Sequence, residues 1–144
     1  VIARAEVRRA RRDMNQALLN RFNIAFDLNF HGSQLKDYPH IAEYGRRIKA
    51  LRERYATELW NAEFVERQGA QVNGPDLSYS VFAGRNGKRA VVVVNMGTER
   101  ASKAEVTLPG ASAMAYASPE DPAQKTFGGS VEIAPQSAVV IFEK

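Results

Sequence analysis

Four consecutive valines, Val91–Val94, constrain the fold of this chain more than any other feature. A strand with one face in water alternates apolar and polar residues, so an unbroken β-branched run predicts a strand that is buried on both faces. The run is too short for a buried helix, which usually needs about ten or more residues. We therefore expect a central strand within Arg89–Gly97, with an antiparallel sheet built outward from it.

A hairpin signal precedes this strand. Residues 78–83 are strand-like and lead into a loop that contains Asn86-Gly87. Both residues tolerate positive φ, so they predict a two-residue hairpin turn. The string Gly84–Gly87 also matches the Gly-x-x-Gly loop of some RNA-binding modules, but that loop joins helices and this one joins strands. We assign it to the hairpin and expect no nucleic-acid partner.

Short strand-like runs continue to the carboxy terminus. One contains Phe64 and Val65, and the later ones cover Lys103–Leu108, Met114–Ala117, Ser130–Ile133 and Ser137–Phe142. Turn residues separate these runs at intervals of about ten residues. About six or seven short strands in this arrangement indicate an antiparallel sandwich or barrel, and we predict a β-sandwich.

The first 60 residues have helical periodicity instead. Apolar residues at three- and four-residue spacing predict a first helix; they are Val7, Ala10, Met14, Leu18 and Phe22. A second helix is predicted from about Pro39 to Trp60, with one long apolar face and an opposite face on which Glu43 and Arg47 can pair.

The stretch between these helices, Phe22–Phe30, places large apolar residues at every even position. This period predicts a strand. Leu19, Phe22, Phe26 and Phe30 also fit a helical stripe, so a continuous helix is the alternative. The predicted class is therefore α+β: a helical segment of two helices with an intervening strand-like stretch, followed by an antiparallel β-sandwich.

Charge and periodicity both change near Trp60. Residues 1–60 carry 12 basic and 7 acidic side chains, whereas residues 61–144 carry 8 and 9. We place a domain boundary there, between a helical segment (1–60) and a sandwich domain (61–144). Trp60 is expected to fill the junction between the two rather than to stack on a sugar ring.

Four arginines in the first helix, Arg8, Arg9, Arg11 and Arg12, could bind phosphate. No aromatic platform accompanies them, so a solvated helix face is the interpretation we adopt.

The chain has no cysteine, which excludes disulfides and thiolate metal sites but assigns no compartment. Its apolar runs are too short for a membrane helix, so we expect no membrane partner. Val1 already continues the helical pattern, and we expect the chain to be a fragment.

Groups that could perform catalysis are scarce. No Gly-x-Ser-x-Gly elbow and no phosphate-binding glycine loop occur in the sequence. His31 and His40 have no ligand-like spacing to carboxylates. Glu120 and Asp121 are adjacent in a proline-bounded loop and are expected to be solvated. The residues alone predict no catalytic group, no cofactor and no metal site.

The order of elements resembles the carboxy-terminal part of many glycoside hydrolases, in which an α/β barrel is followed by a small β-sandwich. Residues 2–22 look like the seventh barrel helix, Phe22–Phe30 like the eighth strand, and Pro39–Trp60 like the final helix. Val91–Met96 is similar to the central strand of these sandwiches, and residues 133–141 look like their closing hairpin.

The resemblance implies a carbohydrate-active parent enzyme, whose substrate side would face the carboxy end of the eighth strand. Asp27, Asn29 and His31 are then candidates for a substrate-contacting rim, although the solvent face of a strand is the preferred interpretation of Asp27 and Asn29. The carboxylates that hydrolyse the glycoside normally lie on earlier barrel strands. We therefore expect this chain alone to be inactive. The alternative is a self-contained binding or interaction module that self-associates through its helical segment.

Overall fold

The computed structural model describes residues 4–24 and 35–144. Within these ranges α1 spans Arg4–Asn20 and α2 spans Pro39–Arg54, and antiparallel strands follow. The predicted α+β class, with a helical segment ahead of a β-sandwich, is confirmed. Most of the predicted strand Phe22–Phe30 lies outside the described residues, and its described part, Phe22–Ile24, forms no regular element.

The valine run forms the centre of the larger of two sheets. This strand, β4, spans Arg89–Asn95 and pairs with β3 (Leu77–Ala83) on one side and β9 (Ala138–Glu143) on the other. The other strands are β1 (Glu63–Phe64), β2 (Gln71–Asn73), β5 (Ser102–Thr107), β6 (Met114–Ala117), β7 (Lys125–Thr126) and β8 (Ser130–Ile133). Strands β2 and β7 were not predicted, because they are short, mostly exposed and without an apolar pattern.

The strands form a six-stranded sheet of order β1-β3-β4-β9-β6-β7 and a three-stranded sheet of order β2-β5-β8. In the register of the large sheet, Val92 lies opposite Ser80 on β3 and Val140 on β9. The neighbouring residue, Val93, lies opposite Tyr79 and Val139. Because successive side chains point to opposite faces, this register fixes which residues face each neighbouring layer.

Two buried clusters cover the two faces of the large sheet. The helix-side core joins α1, α2 and one face of the sheet, and it includes Met14, Leu18, Leu19, Ile48, Leu51, Ala90, Val92, Val94, Val140 and Phe142. The sheet-side core joins the opposite face to the small sheet, and it includes Val81, Val91, Val93, Ala104, Val106, Ile133, Val139 and Ile141. All four valines of the run are 0% exposed, which confirms the prediction that both faces of β4 are buried. The helices therefore form a third layer on the sandwich.

The apolar stripe of α1 is only partly buried. Met14 and Leu18 pack in the helix-side core, whereas Phe22, at the end of the predicted stripe, is 62% exposed. The helix has ended by that point: Arg21 has a φ of 56°, and the Phe22 N–H donates to the Ala17 carbonyl at 2.9 Å. This left-handed residue turns the chain away before Phe22 can reach the core.

The second helix ends at Arg54, so the predicted extension to Trp60 was too long. Tyr55 leaves helical geometry, with φ −115° and ψ 42°. Its ring lies 4.5 Å from that of Phe142, and its hydroxyl donates to the Pro122 carbonyl at 2.6 Å. These contacts hold Tyr55 against the sandwich, and hydrogen-bonded turns continue the chain to residue 60.

The hairpin between β3 and β4 has a different turn from the predicted one. The Gly84 N–H donates to the Lys88 carbonyl at 2.8 Å, and the Gly87 N–H donates back to the Gly84 carbonyl at 2.9 Å. These bonds close a three-residue loop in which Gly87 has a φ of 77° and Asn86 does not have positive φ. Such a loop is a turn followed by a left-handed glycine, so the prediction of a two-residue turn was wrong.

The predicted boundary at residue 60 marks the change from helix to strand, but the core does not divide there. Leu59 and Ala62 lie on either side of it, and both belong to the helix-side core together with Phe82 of β3. The division into domains 1–60 and 61–144 stays a prediction. No helix in the described ranges is long and apolar enough to cross a membrane.

Candidate functional site: the outer face of the second helix

The three residues of the predicted substrate rim, Asp27, Asn29 and His31, lie outside the described residues. Their role stays a prediction. The other histidine, His40, is exposed in the first turn of α2. Across the described part of the chain, no three His, Cys, Asp or Glu side chains group as metal ligands would.

The adjacent carboxylates of the β6–β7 loop each pair with a cation. Glu120 accepts from Arg11 Nη2 at 2.6 Å, and Asp121 accepts from Lys125 Nζ at 2.7 Å. The Lys125 hydrogen bond, followed by the Ala123 N–H, holds the pKa of Asp121 below its usual range. A general acid needs a carboxyl with a raised pKa, so this shift is opposite to the one that catalysis requires. Both carboxylates therefore act as partners of surface cations, Glu120 of Arg11 and Asp121 of Lys125.

A cavity of about 620 Å³ lies against the outer face of α2. This volume is within the range of small-molecule or side-chain binding pockets. Its walls combine apolar side chains with a few charged ones; they are Asn23, Ile24, Leu35, Ala42, Gly45, Arg46, Lys49, Arg52, Glu53, Ala56 and Trp60. Ala42 and Gly45 of α2, and Ala56 just after the helix, are small residues that leave room for the cavity between the longer side chains.

Arg52 lies at the inner wall of this cavity and is only 7% exposed. Its guanidinium donates to the carbonyls of Ala17 and Phe22, at the carboxy end of α1. A cation at this end of a helix interacts favourably with the helix dipole and satisfies carbonyls that have no helical partner. Burial lowers the pKa of Arg52 to about 10, so the side chain stays charged at neutral pH. Arg52 thus fastens α1 to α2 from the cavity side.

Two exposed aromatic residues are connected to the residues of the site, Trp60 as part of its wall and Phe22 through its backbone. Trp60 is 42% exposed, lines the cavity, and lies with its ring 5.1 Å from the guanidinium carbon of Arg52. Phe22 is more exposed, and its backbone carbonyl accepts from Arg52. The expectation that Trp60 fills the junction was wrong: Leu59 and Ala62 fill it, and Trp60 remains at the surface.

The outer face of α2 carries charges of alternating sign. Glu43 accepts from Arg47 at 3.0 Å and from Arg46 at 2.7 Å, and both bonds lower its pKa. One turn on, Lys49 donates to Glu53 at 2.5 Å. The predicted pairing of Glu43 with Arg47 is confirmed. Because all these groups are exposed, the pairs contribute little to stability. They give the surface of α2 neighbouring positive and negative charges.

A polar cluster, separate from the cavity, fastens the two helices to the turn between β8 and β9. The amide nitrogen of Asn15 donates to the Gln136 carbonyl at 2.8 Å, and its amide oxygen accepts from the Tyr44 hydroxyl at 2.6 Å. Asn15 and Tyr44 are both buried. Burial also raises the pKa of Tyr44, so its hydroxyl stays a donor at neutral pH.

Arg11 completes this cluster. Its Nε donates to the Gln136 carbonyl at 2.8 Å, and its guanidinium lies 3.8 Å from the centre of the Tyr44 ring. The interpretation of the arginine cluster as a solvated face was therefore wrong for Arg11, although Arg9 and Arg12 are exposed. The sequence carried one signal for this contact: a polar residue, Asn15, stands beside the apolar stripe and becomes buried with it.

Comparison with protein-family models and with curated proteins finds no match to this chain.

Proposed function

We propose that this chain is the noncatalytic carboxy-terminal portion of a carbohydrate-active enzyme, a glycoside hydrolase, in which the β-sandwich packs on the catalytic barrel and stabilises it. One observation carries the proposal: the helical segment is joined to the sandwich through a shared core, while the outer face of α2 presents an apolar-lined cavity. A helix that packs on a sheet on one side and exposes an apolar depression on the other can connect two parts of a larger protein.

The contacts of the described residues suit a stabilising role. Arg11 and Asn15 hold α1 on the β8–β9 turn, and Arg52 holds the end of α1 on α2. Ser80 adds a buried bond from β3 to the Leu19 carbonyl at 2.5 Å. Hydrogen bonds from two helices and two parts of the sandwich therefore fix how the helices lie on the sandwich. In the proposal, a barrel that packs on the helices is held in the same orientation.

Glycoside hydrolysis requires two carboxyl groups that flank the bond to be cleaved, usually about 5–10 Å apart. In the proposal these groups belong to residues that precede Val1 in the full enzyme. Asp27, Asn29 and His31 would contribute to the substrate rim, as the resemblance implies.

The experiment compares this chain with a longer one that also carries the residues encoded upstream of Val1. Both are assayed on a panel of chromogenic glycosides, with folding checked by circular dichroism. We expect the longer chain to hydrolyse at least one glycoside and the short chain to hydrolyse none. Hydrolysis by the short chain, or a folded longer chain inactive on every glycoside tested, would contradict the proposal.

A variant of the longer chain tests the stabilising role separately. Asn15→Ala removes contacts between α1 and the sandwich without touching the proposed substrate rim. We expect its initial rate at low temperature to equal that of the parent chain, and its activity to be lost at a lower temperature. An unchanged inactivation temperature would show that the sandwich does not stabilise the barrel.

The alternative, a self-contained interaction module that self-associates through its helical segment, is favoured by one observation. Trp60 lines the cavity and exposes a large apolar side chain, and Phe22 on the same helical segment is exposed as well.

A further inference from the structure

The cavity against the outer face of α2 combines apolar walls with an excess of positive charge. Its volume, about 620 Å³, is that of a pocket for a small molecule. The apolar part of the lining consists of Ile24, Leu35, Ala42, Ala56 and Trp60. Three cationic side chains and one carboxylate also line it; they are Arg46, Lys49, Arg52 and Glu53. A ligand that complements these walls has an apolar body and a negative charge.

Ion pairs on α2 account for the exposed part of this charge. Lys49 donates to Glu53 at 2.5 Å, and Arg46 donates to Glu43, which does not line the cavity, at 2.7 Å. Because these side chains are exposed, each pair is weak and is screened by water. Each pair is also neutral as a whole, so the two pairs favour neither sign of ligand.

The buried cation of the wall, Arg52, has no such carboxylate. Its guanidinium donates to the carbonyls of Ala17 and Phe22, which supply only partial negative charge. No ion pair to Arg52 occurs within the described ranges, and burial is the cause that lowers its pKa. A buried charge without a counter-ion costs free energy, and a ligand carboxylate at this wall reduces that cost.

We propose that this cavity binds a small aromatic carboxylate, with the aromatic body against Trp60 and Ile24 and the carboxylate beside Arg52. The Trp60 ring is 42% exposed and lies 5.1 Å from the guanidinium carbon of Arg52, so a ring packed on Trp60 brings its carboxylate near this cation. Trp60 favours an aromatic body because aromatic rings pair in offset or edge-to-face arrangements. The inference does not rest on the proposed function, since it concerns residues of this chain alone.

Three compounds separate the contributions of the charge and of the apolar body. Naphthoate carries both, naphthamide keeps the rings without the charge, and acetate keeps the charge without the rings. Binding is followed by nuclear magnetic resonance through the indole N–H signal of Trp60, the single tryptophan of the sequence. We expect naphthoate to bind with a dissociation constant of about 1 mM or below, and the other two compounds about tenfold more weakly or less.

Three results would overturn the proposal. The first is a chain that does not bind naphthoate at concentrations up to about 5 mM. The second is equal binding of naphthoate and naphthamide, which would show that the positive charge of the wall does not contribute. The third is binding of naphthoate that leaves the Trp60 signal unchanged, which would place the ligand outside this cavity.

Two variants then locate the site, with circular dichroism to confirm that each is folded. Ala56 is half-buried in the cavity wall, so Ala56→Phe should fill the cavity and weaken naphthoate binding about tenfold or more. Thr57→Phe is the matched control, since Thr57 is exposed and does not line the cavity. Equal binding of naphthoate to Ala56→Phe and to the parent chain would contradict the assignment.

The second variant, Glu53→Gln, removes the carboxylate of the lining from an exposed position. Naphthoate binding should become about two- to threefold tighter, because a like charge near the ligand is lost. Glu105→Gln on β5 is the control, since Glu105 is exposed and lies on the small sheet away from the cavity. Binding to Glu53→Gln that is no tighter than binding to the control would show that the charge of the cavity wall does not select the ligand.

Discussion

The loop between β3 and β4 yields a prediction in which the backbone conformation alone determines the result. Gly87 has a φ of 77°, and a Cβ added there would meet nothing within 4 Å. Replacement by alanine therefore creates no clash, and the cost comes only from holding an L-residue in the left-handed region, which is about 1–2 kcal/mol. Alanine also makes the unfolded chain less flexible, which stabilises the fold by roughly 0.4–1 kcal/mol and offsets part of this cost.

Gly128 supplies the matched control. A Cβ there also meets nothing within 4 Å, but its φ lies outside the left-handed region. Gly128→Ala therefore gains the unfolded-state term without the strain, and we expect it to be neutral or slightly stabilising. The difference between the two variants isolates the strain at Gly87, about 1–2 kcal/mol. Gly87→Val should cost more, about 1–3 kcal/mol, and Gly87→Asn less, because Asn tolerates this conformation.

Urea unfolding followed by circular dichroism gives the free energy of unfolding of each variant. The variants are compared with one shared value for the dependence of this free energy on urea concentration. We expect the order Gly128→Ala, Gly87→Asn, Gly87→Ala, Gly87→Val from most to least stable. Equal free energies for the two alanine variants would show that the loop does not hold Gly87 in the left-handed region.

Two further predictions follow from the polar contacts. Asn15→Ala should cost about 1–3 kcal/mol in urea unfolding because it leaves the Tyr44 hydroxyl buried without its acceptor, and the cost should shrink in a Tyr44→Phe background; an equal cost in both would refute the pairing. The hydrogen bond from Arg89 lowers the pKa of Glu143, so the stability it contributes is present above the unfolded-state pKa of about 4.3 and is lost as pH falls. Glu143→Gln should therefore lose less stability than the parent chain between neutral pH and about pH 3, and parallel pH profiles would contradict this assignment.

Much of the fold could be predicted because the relevant signals are local. The valine run, the strand β6 over Met114–Ala117 and the start of α2 at Pro39 each depend on a short stretch of residue types with a clear period or punctuation. The predicted turn type was wrong because the hydrogen bond from the Gly84 N–H to the Lys88 carbonyl closes a loop one residue longer than the Asn-Gly signal predicts.

The candidate site could not be predicted, because its residues meet only through long-range packing. Arg52 and Ala17, or Asn15 and Gln136, are far apart in sequence, and no spacing rule connects them. Trp60 and Leu59 show the same limit: both are apolar and adjacent, yet the end of α2 at Arg54 decides which of them enters the core. The third layer was missed for the same reason, since the valine run predicts two buried faces but not what covers them.

One strand, β4, joins the helical layer to the sandwich through alternate side chains. Val92 faces the helix-side core and Val93 the sheet-side core, and both are fully buried. Each Val→Ala change removes about two methylene equivalents of buried surface and leaves a small cavity, so each should cost about 2–3 kcal/mol.

The most direct measurement is the free energy of unfolding of Val92→Ala, with Val93→Ala alongside it for comparison. We expect comparable losses, because both faces of the strand are equally well covered. A loss for Val92→Ala below about 0.5 kcal/mol, the size of effect expected at an exposed surface position, together with a full loss for Val93→Ala, would show that the helices do not pack on the sheet.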